Sequence, residues 1–159
     1  MTERGIITFI ARIEDELTEL DQLKERIEEV WGKYKTNGDE FYLDSVALNL
    51  HELYSGFEKI FLEVAKEIDE NIPEGSSWHR ELLDQMALNI KNLRPAVISK
   101  ASRDILDEYR AFRHVVRNVY AHKYSAQKIA ILLENFPADY KKVRREIVSF
   151  LQFLEADIE

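Results

Sequence analysis

The 159-residue chain contains no cysteine, only five glycines and only three prolines. Without cysteine, disulfide staples and thiolate metal sites are excluded, and a reducing compartment is no hazard. With Pro73, Pro95 and Pro137 far apart and glycine scarce, little punctuates the chain, which favours long helices joined by few turns. No apolar run is long enough to span a membrane. The first residues, MTERGIITFIARIEDE, carry Glu3 and Arg4, reach Arg12 after a brief apolar patch, and lack a small-residue cleavage site. A cytoplasmic protein with no membrane contact is the expectation. Strand-like alternation, a Gly-rich phosphate loop, internal repeats and low-complexity tracts are missing as well.

What is present is a helical period. Hydrophobic residues make up 45% of the chain and charged residues 33%, a balance that argues against disorder, and the length suits one domain over residues 1–159. Five segments carry the spacing of an amphipathic helix. The first, roughly 3–34, has Ile6, Ile10, Ile13, Leu17, Leu20, Leu23, Ile27 and Val30 on one stripe, and Asn37-Gly38 is its stop signal. The second, roughly 40–70, carries Val46, Leu50, Leu53, Phe57, Ile60, Val64 and Ile68, with a polar opposite face that predicts packing on one side. A third at about 78–93 follows a cap at Ser76 or Ser77. Ser102 is the expected cap of the fourth, with Asp104 in its first turn and a core stripe of Ile105, Tyr109, Phe112, Val116 and Val119. The last begins near Ser125, runs to about 155 and should kink at Pro137. The fold class is therefore all-α, an antiparallel bundle of four to five long helices.

The net charge of −8 disfavours broad nonspecific binding to nucleic acid, but the charge is sorted. Residues 109–133 contain no Asp or Glu and hold Arg110, Arg113, Arg117, Lys123 and Lys128, so five of the 22 basic residues sit there and the other 17 face all 30 acidic ones. Arg110, Arg113 and Arg117, at i, i+3 and i+7, line one helix face with His114 beside them, pointing outward or toward a partner subunit. Such a strip fits a phosphate-bearing partner. It also fits the plainer role of cations near a helix C-terminus, each worth about 0.3–1 kcal/mol, or of arginines paired with acidic helix faces.

The stretch RNVYAHKY, residues 117–124, sharpens the choice. His122 follows Arg117 by five positions, where the fourth helix should end, and Tyr124 follows two later. A histidine with a free pKa of about 6.5 can move protons, while an arginine holds a phosphate oxygen and stabilises charge growing on it. Together they suffice to break a phosphodiester without a metal. The arrangement Arg-x4-His on a helical bundle resembles the HEPN superfamily of ribonucleases. Its fuller form, R-N-x-x-x-H-x-Y, is similar to the HepT branch, the toxin half of HepT/MntA toxin–antitoxin modules. The resemblance covers essentially the whole chain in length, helix order and motif position, and residues 117–124 carry its specificity.

That resemblance implies a metal-independent RNA endonuclease of a type VII-like toxin–antitoxin module, acting as a homodimer whose two motifs meet at a shared cleft. Arg117 and His122 are then the catalytic pair and Asn118 orients the site. Attack by the ribose 2′-OH explains a preference for RNA, transfer or messenger, over DNA. A minimal nucleotidyltransferase antitoxin, MntA-like, would add AMP to Tyr124 and block the site by bulk and like charge. Arg110, Arg113 and Lys123 are weaker candidates for RNA contact. No cofactor is expected, and no metal site, since His51 and His79 have no carboxylate or histidine at ligand spacing and both read as structural. The competing class is a noncatalytic helical substrate-binding subunit of a two-component nucleotidyltransferase, which would not need His122.

Overall fold

A computed structural model of the chain describes residues 1–120 and 123–158, and within them it forms five helices and no strand. They are α1 (Glu3–Asn37), α2 (Glu40–Glu67), α3 (Trp78–Met86), α4 (Lys100–Asn118) and α5 (Ala126–Ala156). Their ends are set by local chemistry. Thr2 caps α1 by accepting the Gly5 N–H at 3.0 Å, and Gly38, at φ 68°, closes it in the left-handed conformation that a residue with a Cβ adopts at a cost. Asp39 then caps α2 through the Phe41 N–H at 2.9 Å.

Two boundaries depart most from the sequence expectation. Ser99, not Ser102, caps α4: its hydroxyl accepts the Ser102 N–H at 3.1 Å, and Ser102 is buried within the first turn. The reason lies in α5, where Glu146 accepts the Ser99 N–H at 2.7 Å and its hydroxyl at 3.0 Å. A carboxylate at this helix start also complements the dipole, the part assigned to Asp104, which instead lies beyond the first turn. Helix α3 stops at Met86 because residues 87–99 wrap around a buried arginine. Helix α5 runs on through Pro137, whose missing N–H costs one local hydrogen bond without ending the helix.

The long helices pack as α1–α2–α4–α5, each antiparallel to the next, with α5 returning to α1, and α3 lies against α2 and α4. Helix α2 is the centre. It touches α1, α3 and α4 rather than burying one face, so even Asn49 and Glu58 are buried in it. Gly56 lets α1 come close, since a Cβ there would lie 2.4 Å from Leu20 Cδ2. The predicted stripes supply most of the core, with Leu106, missed in the sequence, fully buried and Ile105 only packed against its edge. Among the described residues no helix is long and apolar enough to cross a membrane.

Two polar ties fix the bundle. Arg94, 4% exposed, places its whole guanidinium inside: Nε and Nη2 hold the Asp69 carboxylate, the latter at 2.7 Å, and the remaining N–H groups donate to the carbonyls of Gln85, Leu88 and Pro95. On the far side, Asp21 of α1 accepts from Arg144 Nε at 2.7 Å and from the Tyr140 hydroxyl at 2.5 Å. Burial alone would raise the Asp21 carboxyl, but the bonds from Arg144 and Tyr140 outweigh it and hold the pKa below its ordinary value.

Removing one member of the buried pair leaves an uncompensated charge, so Arg94→Ala should cost about 3–5 kcal/mol in urea unfolding; a loss below about 1 kcal/mol would contradict this account. The Asp21 tie predicts a pH signature. A lowered folded pKa means stability that is present above the unfolded value and lost as pH falls through the folded one. The gap in melting temperature between wild type and Asp21→Asn should therefore be widest near neutrality and close in acid.

Candidate functional site

The cationic face of α4 does not simply point outward; it turns toward α2. Half-buried Arg110 is neutralised within its own helix, its Nε donating to Asp107 Oδ1 at 2.7 Å, a partner lying just before the acid-free window. Half-buried Arg113 crosses to α2, where its Nε donates to Ser55 Oγ at 3.1 Å. Arg117, at the last turn, is exposed and among the described residues has no carboxylate within ion-pair distance. Arg113 and Arg117 thus both lack a carboxylate partner among the described residues, and of the two Arg117 is the exposed one.

The antiparallel packing of α2 and α4 determines what stands opposite. With Ser55 against Arg113, one turn back on α2 is His51 and one turn forward on α4 is Arg117. Half-buried His51 indeed lies in the field of both arginines. Its pKa is below the ordinary imidazole value, first through burial and then through the charges of Arg113 and Arg117, with Glu52 and Glu58 opposing them. Below these, the buried Tyr54 hydroxyl has no hydrogen-bond partner among the described residues, and burial raises its pKa so that it stays neutral. Sequence reasoning classed His51 as structural. The i, i+4 relation of His51 and Ser55 is visible in the chain, but nothing there says which helix the pair faces.

The remaining motif residues divide. Asn118 is exposed and turns back on its own helix, Nδ2 donating to the His114 carbonyl at 2.8 Å, which closes the α4 terminus. Tyr124 is half-buried against the core, and its hydroxyl donates to the Val116 carbonyl at 3.2 Å rather than standing exposed. Lys123 is exposed after a turn in which its N–H bonds the Tyr120 carbonyl at 2.9 Å. His122, the expected proton shuttle, lies outside the described residues. His79 is tied to buried Glu58 at 2.6 Å and stacked on Trp78, in keeping with a structural part. No three His, Asp or Glu side chains gather as a cation site among the described residues.

The described residues thus form an all-helical bundle with Arg117 exposed in the last turn of its fourth helix. Residues 45–154, from the second turn of α2 almost to the end of α5, match the family described as HepT-like protein. The chain belongs to the HepT-like family. No curated protein and no solved structure matches it.

The site makes a prediction about His51. Followed by NMR, its ring should titrate below about 6.5, and Arg113→Gln or Arg117→Gln should each raise that midpoint. Because the folded pKa is depressed, His51 contributes stability above its unfolded value that is lost as pH falls toward the folded one. A midpoint at or above that of a free imidazole would refute the proximity of the two guanidiniums.

Proposed function

We propose that this HepT-like protein is a metal-independent ribonuclease and the toxin of a toxin–antitoxin module. The observation that carries the proposal is Arg117: exposed at the end of α4, without a carboxylate partner among the described residues, in a family motif whose histidine follows five positions later. In this reading the ribose 2′-OH attacks the adjacent phosphorus as His122 moves the proton. Arg117 holds the non-bridging oxygens as negative charge grows there, the 5′-oxygen leaves, and a 2′,3′-cyclic phosphate remains. Asn118 squares off the helix end that presents Arg117, while Arg113 and Lys123 extend the positive surface along the RNA backbone. Arg110 contributes less, being paired with Asp107.

Two copies bring two motifs to one cleft, since a single arginine–histidine pair is half a site. Neutralisation follows when a minimal nucleotidyltransferase partner transfers AMP to Tyr124, the phenol oxygen attacking the α-phosphorus of ATP and pyrophosphate leaving. The Tyr124 side chain, half-buried with its hydroxyl on the Val116 carbonyl, has to turn outward to meet the nucleotide.

Purified protein incubated with transfer or messenger RNA in EDTA should produce cyclic-phosphate ends, and Arg117→Ala and His122→Ala should each reduce the rate by about 10²–10⁴-fold. Tyr124→Phe should cut RNA but accept no AMP. If folded wild type leaves RNA intact, or the variants cut as well as it does, a noncatalytic binding subunit becomes the better reading.

A further inference from the structure

We infer that His51 and Ser55 of α2 join Arg113 and Arg117 of α4 in a phosphate seat along the α2–α4 seam, one that holds a phosphodiester neighbouring the bond under attack, with the Arg117 fork reaching between the two phosphates. The identity of the phosphodiester rests on the ribonuclease reading; the seat itself does not. Its geometry comes from the helix register. The Arg113–Ser55 bond at 3.1 Å pins the two helices, and one turn toward the C-terminus of α4 His51 and Arg117 come opposite each other. The groups therefore alternate across the seam, two guanidiniums on one wall and an imidazole and a hydroxyl on the other.

The composition of the seat is unusual for a structural contact. Two arginines face a histidine, and the nearest carboxylates bearing on that histidine, Glu52 and Glu58, are on its own helix, with Glu58 already held by His79. Packing for stability alone would place a carboxylate between such arginines, as the bundle does for Arg94, Arg110 and Arg144. An anion in the seam supplies the missing negative charge. Arg113 and Arg117 offer it fixed N–H donors and the Ser55 hydroxyl a further one. His51, kept neutral while the seat is empty, takes up a proton once the anion reverses the local field and then donates as well.

The test uses inorganic sulfate, which does not titrate near neutrality, with inorganic phosphate as the second probe, on the full chain at constant ionic strength. Adding sulfate should raise the His51 midpoint by about one pH unit, as expected when an opposite charge enters contact range. By linkage, sulfate should bind about tenfold more tightly below the two midpoints than above them. His51→Gln should abolish that pH dependence, and Arg113→Gln the response of His51. If concentrated sulfate and phosphate leave the His51 midpoint unmoved, the seat does not exist. RNA cleavage separates the two proposals. A sulfate response in a protein that cuts no RNA keeps the seat and removes the nuclease. Cleavage that needs Arg117, is unchanged in His51→Gln and comes with no sulfate response removes the seat alone.

Discussion

The Arg94–Asp69 pair decides how the rest of the chain is arranged. A guanidinium and a carboxylate are taken wholly out of water, a cost met only because every N–H of Arg94 finds an acceptor. Those acceptors are Asp69 just past the end of α2, the Gln85 carbonyl in the last turn of α3, and the Leu88 and Pro95 carbonyls between α3 and α4. The pair therefore fixes where the chain turns back after α3, and Glu146 at the Ser99 cap fixes where α4 starts. From that starting point α4 runs antiparallel to α2, and the register that brings Arg113 to Ser55 follows. The site at the far end of α4 inherits its geometry from a contact made at the near end.

The bundle treats its cations in two ways. Arg94, Arg110 and Arg144 each have a carboxylate, and Arg144 forms with Tyr140 and Asp21 the seam that holds α1 to α5. Arg113 donates to a hydroxyl instead, and Arg117 has no carboxylate partner among the described residues. An acidic protein that leaves two adjacent guanidiniums without carboxylates keeps a local positive field, strongest where the helices are half-buried and salt screens least. That field meets the terminus of α4, where the family motif lies. In the proposed function this is where a phosphate is held.

Much of this was legible in the sequence, because the information is local. Apolar periods gave the five helices and most of the core; Asn37-Gly38 marked the end of α1; the acid-free window marked the cationic face. What escaped depended on contacts between elements. Ser99 and Ser102 are equally good caps in isolation, and only Glu146, 47 residues away, chooses between them. Residues 87–99 looked like the tail of α3 and a plain connector because a buried ion pair leaves no periodic trace. The polar flank of α2 looked solvated, yet α4 lies along it and brings the charges of Arg113 and Arg117 to bear on His51. The motif put Tyr124 beside the cations, but nothing local in the chain shows that its hydroxyl is folded back on the Val116 carbonyl. Family membership rests on residues 45–154, and α1, outside that span, completes the bundle through Asp21 and Leu20.

The central claim is that the α2–α4 seam, ending at Arg117, is where this protein meets RNA. Its most direct test is a map of backbone amide shifts on adding a short oligoribonucleotide whose cleavable position lacks the 2′-hydroxyl. The account predicts that perturbations gather at His51 and Ser55 on α2 and from Arg113 to Asn118 on α4, and weaken as salt rises. Perturbations confined to α1 and the outer face of α5, or none at all, would contradict it.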